Sequence, residues 1–500
     1  MGSRVLLISV NQYDFPHPVF PLGLAHVDAA LRHAGHQTRL VDLNLNPPPL
    51  PEIIAEFQPD LVGLSLRNID DTLIRNRATF FDVLTSVCRD VRGATSAPVV
   101  LGGSGFSIFP EQLLRLSGAD FGIQGEGERP LLALLEALRN GGNVGQIPGL
   151  VFRDGDRVLA NPREERTAAE EIAIPERSAE LTDFYLRRSS VLNVQTQRGC
   201  ALQCCYCTYP LLEGRKYRRR PAEAVGEELA RLQSSGARYV FIVDSVFNTS
   251  PAHVRQFCEE ILRRNLRLQW GCFLRPQHLT TELMKLMARA GLRHVEFGSD
   301  SFCDEVLAAY GKQLTFDDIL HSSELARSEG VAYAHFLICG GPGETRDTLQ
   351  SSFANSRQLR SAIVLARVGM RVYPGTPLFD RLCREQPGFE RTDLLPPYYY
   401  LTPALPEAEV FEQLRGFARQ SPNWIFDDPP PAYFAMAERL RARGTVGPLW
   451  SYLAILQRWG NSLAGPAESE RAPCRRGEFV LARPSPVVLP SDRGSALAAG

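Results

Sequence analysis

From residue 4 the chain alternates short, wholly apolar runs with longer segments whose apolar residues recur at helical spacing. RVLLISV (4–10) is of the first kind, apolar at successive positions as a buried parallel strand is. LGLAHVDAALRHAG (22–35) is of the second, closed by Gly35. Strand-like runs return at 38–44, 59–68, 97–103 and 120–128, with helical segments near 72–92 and at 130–142. The alternation predicts an α/β, doubly wound (Rossmann-like) domain of about five strands over residues 1–145. Ligands of such sheets lie over the carboxyl ends of the strands, here the loops 11–21, 67–71, 102–106 and 124–128.

Residues 146–189 read as a linker that contains a hairpin, GLVFRDGDRVLA, with Asp-Gly at its tip. Alternation then resumes. Six strands are expected at 191–199, 239–247, 266–276, 294–302, 332–341 and 364–376, separated by helical segments such as 280–291 and 344–359. Six parallel β/α units predict a partial, TIM-like (β/α)6 barrel over 190–395, with its site at the C-terminal ends of the strands. Past 395 the pattern turns Pro- and aromatic-rich, and helices around 406–419, 432–443 and 448–460 predict a small helical region (396–464). Trp424, Trp450 and Trp459 are its expected packing anchors. Residues 465–500, rich in Pro, Ser, Ala, Gly and Arg, read as a disordered tail.

Composition changes this picture little. A chain of 500 residues has room for two or three domains, and 44% apolar with 22% charged residues is ordinary for a globular protein. The net charge of −1 argues against nucleic acid as a partner. No uncharged apolar run approaches the roughly 18 residues of a membrane span. The run at 5–10 is too short for a secretory signal, and Leu6 breaks the myristoylation pattern that Gly2 would begin. Eleven cysteines, odd in number and mostly scattered, make no disulfide framework and point to a cytoplasmic location.

Chemistry concentrates in one loop. Cys200, Cys204 and Cys207 stand as C-x3-C-x2-C, with Tyr206 before the last, directly after the first barrel strand. Thiolates at these intervals can hold a [4Fe-4S] cluster by three irons and leave the fourth open to a small ligand. Structural zinc would want a fourth ligand, and Cys205 is the candidate, although adjacent cysteines make poor tetrahedral geometry. The alternative for Cys205 is to point away into the core. GGPGE (340–344) ends the fifth barrel strand and opens a helix, a turn that lets backbone approach an anion or adenosine closely. The basic run 215–220 could read a phosphate or form a solvated helix start. His278 and His335 are expected to be packing residues.

The cysteine loop followed by six β/α units resembles the radical S-adenosylmethionine (SAM) enzymes, over residues 190–380. The resemblance implies that SAM chelates the open iron and is cleaved to a 5′-deoxyadenosyl radical. It also implies SAM contacts at Tyr206, Asp244, Ser299, Asp300, Gly340, Gly341 and Glu344; Asp300 stands where relatives often carry Glu. Phe20-Pro21-Leu22-Gly23-Leu24-Ala25, VVLGGSG and the GEGE loop (125–128) are similar to the group of these enzymes that carries a cobalamin-binding domain. That resemblance implies cobalamin contacts at Arg67, Gly102, Gly103, Ser104, Gly125, Glu126 and Gly127. The D-x-H-x-x-G pattern that would supply a histidine to cobalt is missing, since Asp14 and His17 are wrongly spaced. Arg67 is the candidate to face cobalt without ligating it; a salt bridge to Asp70 or Asp71 is the competing reading.

The resemblance implies a methyltransferase acting on an unactivated carbon of a small metabolite or lipid through methylcobalamin, with flavodoxin or ferredoxin as electron donor. A cyclase or rearrangement enzyme without net methylation, and a non-catalytic cobalamin or Fe–S sensor, are the alternatives. tRNA methylthiolation would need three more cluster cysteines in residues 1–150, which contain only Cys88.

Overall fold

The computed structural model describes residues 2–13, 17–163, 167–426, 431–450 and 452. Asp14, Trp459, most of the last expected helix and the tail 465–500 lie outside the described residues.

The first layer is built from β1 (Arg4–Ser9), β2 (Gln37–Asp42), β3 (Leu61–Ser65), β4 (Val99–Gly102) and β5 (Phe121–Ile123), all parallel. β6 (Leu150–Asp154) and β7 (Arg157–Ala160) extend it antiparallel, giving the order β2-β1-β3-β4-β5-β6-β7. The hairpin expected inside a linker is therefore part of the first sheet, because the free edge of β5 takes it up. The helix expected near 72–92 starts only at Phe81, after a loop in which Asp70 bridges Thr79.

The second sheet begins with β8 (Leu192–Val194). Two short strands, β9 (Gln197–Arg198) and β10 (Arg218–Arg219), pair antiparallel around the cysteine loop. β11 (Tyr239–Ile242), β12 (Gln269–Leu274), β13 (Leu292–Asp300), β14 (Ala332–Cys339) and β15 (Ile363–Val368) supply the other expected strands. β16 (Met370–Arg371) and β17 (Tyr399–Tyr400) form a small ribbon, and β18 (Trp424–Phe426) adds a seventh parallel strand beside β15. The order is β18-β15-β14-β13-β12-β11-β8, parallel throughout and open between the edge strands. The partial barrel thus has one strand more than its sequence pattern predicts. Three residues, WIF, are too short a run to announce a strand; Trp424 secures them by packing against Phe302, Phe353 and Phe417.

The two sheets share a core. Phe20, Leu22 and Ala25 pack in the same apolar cluster as the barrel residues Leu192, Val225 and Trp270. Two further helices, Glu407–Gln420 and Pro431–Ala442, flank β18 in the chain. Among the described residues no helix is long and apolar enough to cross a membrane.

Candidate active site

The cysteine loop is pinned at both ends. At its start, the fully buried Asp244 accepts hydrogen bonds from the backbone N–H of Thr196 (2.6 Å) and Gln197 (3.2 Å) and from the Thr196 hydroxyl (2.5 Å). Cys200 N–H then donates to the Gly214 carbonyl (2.8 Å), and Gly199, at φ +96°, makes the turn that permits it. Further on, Cys205 N–H donates to the Tyr310 carbonyl (2.9 Å), while the Cys205 carbonyl accepts from Leu378 N–H (2.8 Å).

Cys200 and Cys204 are buried and Cys207 half-buried. The sulfur of Cys205 lies 3.7 Å from Met370 Sδ, so this cysteine is turned toward the apolar cluster around Met370 and away from the role of fourth ligand. Among the described residues no three His, Cys, Asp or Glu side chains converge on a single ion, as tetrahedral zinc requires. Thiolates around a cluster each serve a different iron, and three cysteines on one loop fit that donor set. Burial raises the Cys204 thiol, against the pull of Lys312, and pushes Cys207 up to about 12. Iron would have to displace these protons on binding.

Beside the loop sits a triad that spacing alone did not show. Asp300 Oδ2 accepts from the Tyr206 hydroxyl (2.6 Å) and pairs with Lys312 Nζ (2.6 Å), both it and Lys312 being buried. Burial would lower the Lys312 ammonium, but the Asp300 carboxylate, with Cys204, holds it above its usual value. Asp300 has φ +66°, unusual for a residue with a side chain. The register of β13 shifts between Phe297 and Asp300. The Ser299 hydroxyl lies 2.8 Å from His335 Nδ1, and His335 Nε2 lies 3.1 Å from Ser323, so Ser299 is engaged by His335 while Asp300 holds Tyr206 and Lys312. His335 is a satisfied packing residue, as expected.

At the end of β14, Gly340 N–H donates to the Glu344 carboxylate and Gly341 N–H to the Tyr310 hydroxyl (3.2 Å). The turn thus already engages both amides within the chain. Burial pushes the Glu344 carboxyl up to about 7 against these donors.

A cavity of about 1760 Å³ runs from the carboxyl ends of β1, β3, β4 and β5 into the open barrel. It is well above the roughly 300–1,000 Å³ of an ordinary small-molecule pocket and has room for more than one ligand. Arg67, Gly102, Gly103, Ser104, Gly125, Glu126 and Gly127 all line it. Gly103 stands at φ +97°, and a Cβ there would lie 2.8 Å from the Leu66 carbonyl carbon. Gly103 is thus required for the turn to pack on Leu66, while a Cβ at the adjacent Gly102 would meet nothing within 4 Å, so bare backbone borders the cavity there.

Asn11 Oδ1 accepts from the backbone N–H of Arg67 (2.5 Å) and Asn68 (3.1 Å) and shapes that loop. The salt bridges offered as the competing role of Arg67 do not form. Asp70 pairs with Arg371 (2.9 Å), and Asp71 bonds Asn76 and backbone amides. Burial lowers the Arg67 guanidinium against the pull of nearby tyrosines and Asp42, and among the described residues no carboxylate forms an ion pair with it. His17 lines the same cavity, and burial lowers it to about 4.

The Glu126 side chain turns to the barrel. It pairs with Arg218 and with Arg198 (3.3 Å), while Glu128 pairs with Arg198 (2.7 Å). Arg220 pairs with Glu228 (2.8 Å). Two residues of the basic run are therefore structural, Arg218 joining the barrel to the first domain and Arg220 pairing within the barrel, rather than a phosphate site or a merely solvated helix start.

The Radical SAM superfamily model matches residues 194–354 and the B12 binding domain model residues 10–135, together more than half of the chain. The chain is a cobalamin-binding radical SAM enzyme. A [4Fe-4S] cluster, SAM and cobalamin are its cofactors. The tryptophan 2-C-methyltransferase of Streptomyces laurentii is 27% identical, covering 77% of this chain and 75% of its own. An anaerobic magnesium-protoporphyrin IX monomethyl ester cyclase of Cereibacter sphaeroides is 24% identical, covering 77% and 63%. Among solved structures, the radical SAM methyltransferase TsrM from Kitasatospora setae, with cobalamin and a [4Fe-4S] cluster bound, has the same fold. Its TM-score is 0.80 at 24% identity, covering 93% of this chain and 100% of that one. The chain thus falls in the cobalamin-dependent radical SAM methyltransferase family, to which cyclases are also related.

Proposed function

We propose that this enzyme transfers a methyl group from cobalamin to an unactivated carbon of a small metabolite or lipid. The observation that carries the reading is the single cavity whose wall holds the Gly102–Ser104 and Gly125–Gly127 turns on one side and the inner faces of the barrel strands on the other. A substrate inside it reaches both halves of the molecule. Cys200, Cys204 and Cys207 stand outside the cavity wall, but Arg198, Thr208 and Glu213 beside their loop line it; when bound, the cluster with SAM would supply a carbon radical from that side and cobalamin a transferable methyl group.

The chain's own residues hold and shield. Cys200, Cys204 and Cys207 present thiolates, and Asp244 fixes the start of their loop rather than meeting SAM itself. Tyr206, Asp300 and Lys312 form a rigid polar edge next to that loop, which we assign to SAM; the Gly340–Gly341 turn, whose amides are engaged within the chain, would meet it through packing rather than hydrogen bonds. Arg67 lines the cavity, and toward a corrin bound there it would present a cation with no lone pair to donate to the metal. The aromatic barrel interior excludes water from a reactive carbon. An electron donor of the flavodoxin or ferredoxin class is expected.

The test is turnover of the reconstituted enzyme with SAM and candidate substrates, read by mass spectrometry. Methylated product accompanied by 5′-deoxyadenosine supports the assignment. 5′-Deoxyadenosine with a rearranged, unmethylated product would favour the cyclase alternative.

A further inference from the structure

Inside the barrel the inward-facing positions of β11 to β15 are mostly apolar: Phe241, Phe273, Phe336 and Leu365 line the cavity. Glu296, midway along β13, interrupts them. It is only 8% exposed. Its Oε1 accepts from Trp450 Nε1 (2.9 Å), and Oε2 has no protein partner among the described residues. Trp450 closes the floor, packed edge-on against His294, which in turn packs on Tyr239.

Other acids on the cavity wall are matched. Glu126 and Glu128 pair with Arg198, Glu213 accepts from Gln195 (3.0 Å) and Gly199 (3.0 Å), and Glu438 lies 3.7 Å from Arg188. Glu296 meets only a neutral indole. His294 below it is held neutral by burial, which lowers it to about 4. Arg367, the cation on the inner face of β15, is four residues of strand rise above Ile363, which shares the level of Glu296. That is about 13 Å, too far to neutralise a carboxylate. The uncompensated burial raises Glu296 to about 7. An acid so buried, with no cation paired to it among the described residues, carries a desolvation cost that a cationic ligand group would offset.

We infer that Glu296 is the recognition carboxylate for a protonated amine on the substrate, whose apolar body fills the barrel above it. The substrate class is then an aromatic or aliphatic amine, bound amine-first at the barrel floor. This rests on reading the cavity as the reaction chamber.

The test is equilibrium dialysis of 2-phenylethylamine, with 2-phenylethanol as its neutral isostere, against the full chain loaded with cluster and cobalamin. The wild type should hold the amine at least tenfold more tightly than the alcohol. Glu296→Gln, which can still accept the Trp450 hydrogen bond, should lose that preference while retaining its cobalamin absorbance. Equal binding of amine and alcohol by the wild type would overturn the inference whatever the variant does. So would an undiminished preference in Glu296→Gln. Since the assay needs no turnover, Glu296-dependent amine binding without methylated product would refute the proposed function alone.

Discussion

At the residue scale, four cysteines within eight positions divide into three and one. Replacing Cys200, Cys204 or Cys207 by Ala should abolish the cluster's visible absorbance and its iron content. Cys205→Ala should keep both, because its sulfur packs against Met370; iron loss in that variant alone would reverse the ligand assignment. Glu344 yields a prediction in pH. Its carboxyl is raised to about 7 in the fold, so between the ordinary carboxylate range and pH 7 the folded chain keeps a proton the unfolded chain has lost. Folding stability from this group therefore falls as pH rises across that window. The melting temperature of the cofactor-free chain should drop less between pH 5 and pH 8 in Glu344→Gln than in the wild type.

The cysteine ligands were legible because their spacing is itself the chemistry. Asp300 was singled out from the sequence, but its partner Lys312 was not, since twelve residues of chain separate them and only the fold brings them together. That Ser299 bonds His335 was not legible either, because its partner lies on the next strand. Glu296 carried a signal that went unused: an acid at an inward position of an otherwise apolar strand.

At the element scale, the turn after β4 and the ribbon β16–β17 connect the two sheets to one site. Gly103 holds a conformation and a closeness to Leu66 that no side chain tolerates. Gly103→Ala should cost about 1–3 kcal/mol of stability and lower the cobalamin retained per chain after gel filtration. Arg371, in β16, forms a buried pair with Asp70 of the N-terminal domain, both side chains below 5% exposed. Asp70→Ala strands that guanidinium and should destabilise the chain by roughly 3–5 kcal/mol in denaturant unfolding. Adding Arg371→Met should recover most of the loss.

The strands followed from periodicity and the hairpin from its Asp-Gly turn, whereas the strand order, β18 and the hairpin's pairing with β5 did not. A three-residue strand has no period to read, and a hairpin's pattern is the same whether its edge is free or paired.

At the scale of the whole molecule, two domains close around one cavity, and neutral overall charge conceals a dense seam of ion pairs between them. Glu126 and Glu128 meet Arg198 and Arg218 at that seam, so the GEGE loop both lines the cavity and locks the domains together. No composition argument could assign the basic run to this task, because its partners lie some 90 residues away. The seam is also why one cavity, rather than two separate pockets, spans the domains.

The central claim is that cobalamin in this cavity delivers its methyl group to a substrate carbon. It is tested most directly by a single turnover of enzyme preloaded with isotopically labelled methylcobalamin, with unlabelled SAM, reductant and substrate. The account predicts that the first equivalent of product carries the cobalamin label and later equivalents the methyl of SAM. Product that carries only the SAM methyl from the first turnover, with the label still on cobalamin, would contradict it.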